Sequence, residues 1–141
     1  MRDNISFVGN GESEIKFPNN FGFQYGVSDD LSVTINNANI YNTKIVGDIH
    51  VKNYAESAYL INFRATCMNC YVHDIMVAKG ANGIRIGAWV LTLYNIWIWE
   101  MKGIGLGIFK TDNTIHNVYI NNCKKQGLYM LGGSNSRITD F

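Results

Sequence analysis

One short pattern repeats along the second half of this chain with a nearly constant spacing. It consists of an apolar residue, a variable residue, Asp or Asn, an apolar residue, a variable residue and a further apolar residue. Copies begin at Val72, Leu93 and Ile115, and a fourth begins at Ile138. Their acid or amide positions are 21, 22 and 23 residues apart (95 − 74, 117 − 95 and 140 − 117). A period in the low twenties that holds two or three short strands predicts a stacked solenoid.

A second motif, led by glycine, lies between the copies of the first. It reads Gly-Ile-Arg-Ile from Gly83, Gly-Leu-Gly-Ile from Gly105 and Gly-Leu-Tyr-Met from Gly127. The chain has a single proline and many Asn, Gly and Ile residues, which favours strands with tight corners over helices. Each repeat is therefore predicted to contain two strands that flank a corner and one Gly-led strand.

The Asp or Asn residue of the first motif is predicted to form the corner. Side chains alternate between the two faces of a strand, and Val72 has the opposite parity from Ile75 and Val77. A bend after the Asp or Asn lets all three face the core, and these residues tolerate the left-handed backbone that the bend requires. We expect stacked corner side chains to form a hydrogen-bonded ladder. The predicted corners are Asp74, Asn95, Asn117 and Asp140.

The first half of the chain follows the pattern less regularly. The length predicts one domain over residues 1–141, with less regular coils over 1–43 and regular coils over 44–141. The register is ambiguous between residues 36 and 66, because Asn37 and Asp48 both fit the corner pattern but are only 11 residues apart. We favour a corner at Asp48 with a longer loop at 52–57, which would let His50 extend an outward row. The alternative is a Gly-type strand over 47–51.

The two motifs together resemble those of the pectate-lyase-like superfamily of right-handed parallel β-helices. The I-x-N-V-x-I and G-I-x-I rhythm over residues 72–141 carries the resemblance. The superfamily includes polysaccharide lyases, glycosidases and bacteriophage tailspikes. The resemblance implies an all-β fold, a right-handed single-stranded parallel β-helix of about five coils. Because Phe141 stops inside a corner strand, we expect the solenoid to be truncated or uncapped at its C-terminus.

Outward positions of the two corner-flanking strands are predicted to form an aromatic surface. A contiguous exposed patch of this kind usually marks a contact. The alternatives are a cover by a loop or a neighbouring subunit, and stacking of the rings on sugar faces. The resembled tailspikes pack three β-helices side by side, which implies a homotrimer or larger assembly. The outward residues are Met76, Trp97 and Tyr119 after the corner, and His73, Tyr94 and His116 before it.

The Gly-led strands are where the resembled enzymes hold their sugar, between flanking loops. Here the outward positions of those strands are Arg85, Gly107 and Tyr129, and none of them is a carboxylate. We expect Tyr129 to stack on a glycan. We expect Arg85 and Lys110 to bind an acidic sugar, the alternative for both being an ordinary solvated charge.

A catalytic pair would have to come from the flanking loops, where Glu100 and Asp112 are the candidates. Four strand residues separate the loops by roughly 13 Å. The paired carboxylates of glycosidases lie about 5–9.5 Å apart, so both side chains would have to lean inward.

Composition points away from several other classes of function. The net charge is +1, with 16% charged residues, which indicates neither nucleic acid nor an anionic membrane as partner. No apolar run reaches the roughly 18 residues of a membrane span, and no signal peptide follows Met1. Cys67 and Cys70 form a lone C-x-x-C, with Cys123 far along the chain, which is short of the four ligands of a zinc site. We expect free thiols, no metal and no cofactor.

These observations lead to three functional hypotheses. The first is a surface-polysaccharide-binding module of a phage tailspike-like, host-recognition protein, located on a virion or outside the cell. The second is a fragment of a polysaccharide lyase or glycoside hydrolase. The third is a solenoid that serves assembly alone, because one fold hosts many functions.

Overall fold

The computed structural model describes residues 6–20, 22–25, 35–52, 55–64 and 67–141. The regular secondary structure of these ranges consists of β-strands, so the all-β prediction is confirmed. The strands are β1 (Ser6–Val8), β2 (Glu14–Lys16), β3 (Phe23–Tyr25), β4 (Ile35–Asn36), β5 (Asn39–Val46), β6 (Tyr59–Phe63), β7 (Cys67–Ala78), β8 (Asn82–Ile86), β9 (Trp89–Trp99), β10 (Leu106–Ile108), β11 (Thr114–Asn121), β12 (Leu128–Met130) and β13 (Arg137–Thr139).

The strands form two sheets, and every strand pair in them is parallel. The corner sheet has the order β1-β5-β7-β9-β11-β13, with β2 also paired to β5 and β4 to β7. The groove sheet has the order β12-β10-β8-β6-β3. From β5 onwards the chain enters the two sheets alternately, so neighbouring strands of one sheet are separated by a strand of the other. Parallel neighbours need such long crossover connections.

The register of the parallel pairs follows the period of the sequence. In the corner sheet Tyr94 pairs with His116, and in the groove sheet Arg85 pairs with Gly107, both offsets being 22 residues (116 − 94 and 107 − 85). The offset is larger between β5 and β7, where Asn39 pairs with Tyr71. Two all-parallel sheets that share this period are compatible with a stacked solenoid.

The predicted corners have the left-handed backbone that the parity argument requires. Asp74, Asn95, Asn117 and Asp140 have φ between 50° and 54°. Further left-handed residues lie five positions before or after these corners, as Val90 and Glu100 do around Asn95. Long strands such as β9 are therefore bent at single residues and can turn around the core. The additional left-handed residues are Asn37, Asn69, Val90, Asp112 and Asn135 before the corners, and Lys79, Glu100 and Asn122 after them.

The register predicted for the first half of the chain is wrong. The corner before Asp74 is Asn42, with φ 53°, and it lies five residues after the left-handed Asn37. The pattern was hidden because Thr43, a polar residue, fills the apolar position after the corner, where it is buried and donates a hydrogen bond to the Ser13 carbonyl (3.2 Å).

Asp48 and its neighbours form a turn in place of the predicted corner. The Asp48 backbone N–H donates to Asn20 Oδ1 (2.8 Å), and the His50 N–H donates to Asp48 Oδ1 (2.7 Å). Neither the favoured Asp48 corner nor the Gly-type strand over 47–51 is present, because β6 supplies the groove strand of this repeat. His50 does not extend the outward row, and Lys44 pairs with Met76 at that place.

The apolar core lies between the two sheets and accounts for the inward residues of both. Ile75, Ile96 and Val118 from the corner sheet and Ile84 and Leu106 from the groove sheet are among its buried residues. Burial of such side chains contributes about 25 cal/mol per Å² of apolar surface. Ile120 is half-buried and packs against the same core.

The leading glycines of the groove strands are required by close packing of successive repeats. A Cβ atom on Gly83 would lie 2.4 Å from the carbonyl oxygen of Gly105, and one on Gly105 would lie 2.7 Å from that of Gly127. A side chain cannot be placed there without moving backbone, which explains why the second motif begins with glycine.

Among the residues that the structure describes, no helix is long and apolar enough to span a lipid bilayer.

Candidate functional site: a groove on the outer face of the Gly-led strands

A groove of about 550 Å³ lies over the outer face of the groove sheet. Outward side chains of β6, β8 and β12 form its floor, and the loops that precede these strands form one wall. A volume of this size suits a ligand of a few sugar rings or a drug-sized molecule. The lining residues are Glu56, Ser57, Tyr59, Asn62, Arg64, Asn82, Arg85, Ile104, Phe109, Lys125, Gln126 and Tyr129.

Three polar side chains from adjacent strands are hydrogen-bonded in a line across the floor. Arg85 Nη1 donates to Asn62 Oδ1 (3.3 Å), and Asn62 Nδ2 donates to Gln24 Oε1 (2.9 Å). Gln24 Nε2 in turn donates to the Tyr59 carbonyl (3.1 Å), which anchors the line to backbone. Parallel in-register pairing places these residues side by side. We call this line the amide relay.

An aromatic platform continues the row beyond Arg85. Gly107 is the next outward residue, and its missing side chain leaves room for Phe109, because a Cβ on Gly107 would lie 2.8 Å from Phe109 Cε2. The Arg85 guanidinium carbon lies 4.6 Å from the centre of the Phe109 ring, and the rings of Phe109 and Tyr129 lie 5.7 Å apart. The guanidinium and the two rings therefore form a nearly continuous surface along the groove.

The groove carries an excess of positive charge. Its charged lining residues are Arg64, Arg85, Lys125 and the carboxylate of Glu56, and Lys125 Nζ lies 3.5 Å from Glu56 Oε1. The largely buried Tyr59 lies beneath them. Burial raises the pKa of Tyr59, while the nearby Arg85 charge acts in the opposite direction, so its hydroxyl stays protonated at neutral pH.

Two of the three predicted glycan-binding residues lie in this groove, and Lys110 does not. Arg85 and Tyr129 occupy the outward positions that parity assigned to them. Lys110 is not a lining residue, and its Nζ lies 5.6 Å from the centre of the Trp89 ring.

The candidate catalytic residues Glu100 and Asp112 are both left-handed corner residues outside the groove, with φ of 55° and 61°. Asp112 Oδ2 accepts a hydrogen bond from the neighbouring Thr111 hydroxyl (2.7 Å). Glu100 follows the last residue of β9, whereas Asp112 precedes β11, so the structure does not bring the two carboxylates together as a pair across the groove.

The row before the corner is a stack of four parallel rings. Tyr41, His73, Tyr94 and His116 follow one another with centroid distances of 4.7, 4.6 and 5.2 Å and interplanar angles of 8° or less. These spacings match the distance between parallel strands, so in-register pairing produces the stack. The ring faces cover one another, and the row therefore offers mainly ring edges to a partner. Stacking of sugars on the faces of this row, one of the two alternatives above, is not favoured.

The row after the corner is more open and keeps ring surface exposed. Met76, Trp97 and Tyr119 lie side by side, and Trp99 follows Trp97 on the same face. Trp97 is 45% exposed, Trp99 43% and Tyr119 53%. Half-exposed large aromatic side chains in adjacent strands form an apolar patch of the kind that marks an interface. We call these four residues the aromatic stripe.

The corner side chains form the predicted ladder over three of the four positions. Asn117 Nδ2 donates to Asn95 Oδ1 (2.7 Å), and Asn95 Nδ2 donates to Asp74 Oδ1 (2.8 Å). The other oxygen of Asp74 lies 2.6 Å from His73 Nδ1. These hydrogen bonds, the one from His73 first, lower the pKa of Asp74. Asp140 joins the column through its carbonyl, which accepts from the Val118 N–H (3.0 Å).

The cysteines and the other common metal ligands form no cluster in the part of the chain that the structure describes. Cys70 is buried, and Cys123 is half-buried with a pKa raised by that burial. No group of three or more His, Cys, Asp or Glu side chains in the described ranges is arranged to hold a metal ion.

Several residues of the site were not found from the sequence, although parity would have found some of them. Phe109 shares the parity of Gly107 and therefore its face. Asn62 lies 23 residues before Arg85, one period away. Tyr41 was missed because the register of its repeat was assigned wrongly. No family model, no curated protein and no solved structure matches the chain, so function must be argued from this geometry.

Proposed function

We propose that the chain is a right-handed parallel β-helix of about five coils whose groove binds a surface polysaccharide, as the host-recognition module of a tailspike-like protein does. The observation that carries the proposal is the row of Arg85, Phe109 and Tyr129 on the outer face of the Gly-led strands. Sugar recognition commonly combines aromatic faces, which cover the apolar face of a pyranose, with polar groups that bind its hydroxyls.

The shape and the polar lining of the groove support a linear ligand. Its floor is built from neighbouring strands about 4.8 Å apart, so the groove residues repeat along the direction in which strands stack. Asn62, Asn82 and Gln126 add amide groups to the two rings. A long chain of sugars laid along this direction meets a similar set of groups at each strand.

The carboxylates of the groove favour binding over hydrolysis. Glu56 is the one acidic residue among the described lining residues, its side chain is 92% exposed, and it pairs with Lys125. A glycosidase ordinarily needs two carboxylates at a fixed separation. We therefore propose a glycan-binding surface and not a lyase or hydrolase site.

The aromatic stripe supports a second part of the proposal, that the chain works in an assembly. Trp97, Trp99 and Tyr119 are half-exposed on the face away from the groove sheet. A homotrimer or larger assembly that covers this stripe would leave the groove open to a polysaccharide on a host surface. Such an arrangement fits a location on a virion or outside the cell.

Binding to a panel of immobilised bacterial surface polysaccharides, measured for the whole chain and two variants, tests the proposal. Tyr129→Ala should weaken binding about tenfold, because loss of one stacking ring costs about 1.5 kcal/mol. The matched control is Tyr119→Ala, which removes an exposed tyrosine from the other sheet and should leave affinity unchanged. Equal loss in both variants, or no binding to any polysaccharide, would contradict the groove as the binding site.

Incubation of a bound polysaccharide with the protein separates binding from cleavage. We expect its length distribution, followed by size-exclusion chromatography, to stay unchanged. Shortening of the polymer that disappears in the groove variants would favour the enzyme hypothesis.

A further inference from the structure

The amide relay fixes the position of a cationic group in the groove. The Arg85 guanidinium is held from one side by Asn62, which is itself 97% removed from solvent and held by Gln24. Its flat face lies over Phe109, at 4.6 Å from the ring centre. A long arginine side chain ordinarily loses considerable rotamer entropy when it binds a ligand. Here the relay and the ring hold the guanidinium in place before any ligand arrives.

The way in which the guanidinium is held leaves most of its donors for a ligand. Asn62 accepts one hydrogen bond through Nη1, whereas the planar guanidinium carries several further N–H donors in a fork. That fork matches the two oxygens of a carboxylate in one plane, and such bidentate pairs are stronger and more directional than contacts of a point charge.

The surrounding charges favour an anion at the same place. Arg64 and Lys125 line the groove with Arg85, and the opposing carboxylate of Glu56 is already paired with Lys125. A low-dielectric floor, which the buried Tyr59 and Asn62 provide, strengthens the attraction between the guanidinium and an anion.

We propose that Gln24 and Asn62 are positioning residues that hold Arg85 as a receptor for carboxylate groups, so that the ligand of the groove is a carboxylated polysaccharide. This receptor rests on the proposed function, because it gives the chemical class of the glycan that the groove binds. One acidic sugar would place its carboxylate against the Arg85 fork while a neighbouring ring lies on Phe109 or Tyr129.

The test compares each polymer with its own carboxyl-reduced form. The probes are polygalacturonate, alginate, hyaluronate and polysialic acid, each beside the reduced form, with dextran and dextran sulfate as neutral and sulfated polymers. We expect at least tenfold tighter binding to one or more carboxylated polymers than to its reduced form and to dextran sulfate. Equal binding to the reduced or sulfated polymers, or binding to dextran alone, would overturn the carboxylate receptor and leave the polysaccharide proposal standing. Binding to none of the probes, together with no binding to the bacterial panel, would overturn both.

Variants of the relay show whether position or charge alone matters. Arg85→Lys keeps the charge but lacks the fork, so the preference for the carboxylated polymer over dextran sulfate should fall at least fivefold. Gln24→Ala, which changes an exposed side chain and should fold normally, should lower the same preference about threefold. Arg137→Gln, on the exposed last strand of the corner sheet, is the control and should change nothing. An unchanged preference in both Arg85→Lys and Gln24→Ala would refute the positioning role, because loss of stability alone does not alter a ratio of two affinities.

Discussion

Replacement of Asn95 separates the two contributions that a corner residue makes to stability. Asn95 holds a left-handed backbone (φ 54°) and forms two side-chain hydrogen bonds, to Asp74 (2.8 Å) and from Asn117 (2.7 Å). Alanine in a left-handed conformation costs roughly 1–2 kcal/mol, and each lost hydrogen bond costs about 0.5–1.5 kcal/mol, at the low end here because the ladder is partly exposed. We therefore expect Asn95→Ala to lower the free energy of unfolding by about 2–3 kcal/mol.

Glycine at the same position gives the decisive comparison. Asn95→Gly loses both hydrogen bonds but has no penalty for the left-handed backbone, so it should be more stable than Asn95→Ala by about 1 kcal/mol. In an ordinary strand the order is reversed, because glycine is less stable than alanine by roughly 0.5–1 kcal/mol. Thr92, three residues earlier on β9 and without a left-handed backbone, is the matched control site.

Urea unfolding of the four variants, followed by circular dichroism, measures these differences. Alanine should be the more stable residue at position 92 and glycine the more stable at position 95. The same order at both positions would refute the corner geometry. An Asn95→Ala variant as stable as the unchanged protein would refute the contribution of the ladder.

Three further predictions follow from the corner ladder and the glycine positions. Hydrogen bonds led by that from His73 lower the pKa of Asp74, so the stability they provide is present above pH 3.8 and is lost as the pH falls below it; Asp74→Asn should flatten the stability profile in that acid range, as measured by urea unfolding. Gly83→Ala should destabilise the fold by about 1–3 kcal/mol, because the new Cβ meets a backbone carbonyl at 2.4 Å. Gly107→Ala should instead leave the melting temperature nearly unchanged while weakening polysaccharide binding, because its Cβ meets only side chains and displaces the Phe109 ring. Equal loss of stability in the two glycine variants would count against this assignment.

The corners were predictable only where the residue type announces them. Asn and Asp adopt left-handed backbone more readily than other residues, so Asn95 and Asn117 were found from the sequence. Val90 and Glu100 have the same conformation, but a β-branched or long acidic residue gives no such signal, and the surrounding pairs impose it. For the same reason Glu100 was considered as a catalytic residue, although it forms a corner.

The groove was predictable in outline and not in its details. Alternation along the Gly-led strands places Arg85 and Tyr129 on the outer face, and both line the groove. The relay through Asn62 and Gln24 depends on pairing with β6 and β3, which lie before the regular repeats, where the sequence offsets are longer. Local patterns do not determine such long-range pairing.

Parallel stacking of successive repeats is the central claim of this account, and nuclear Overhauser contacts between backbone protons test it most directly. The account predicts contacts between Thr92 and Thr114 in the corner sheet and between Arg85 and Gly107 in the groove sheet, each pair 22 residues apart (114 − 92 and 107 − 85). Contacts that instead join successive segments in antiparallel order would contradict the stacked repeats, and with them the ladder, the aromatic stripe and the groove.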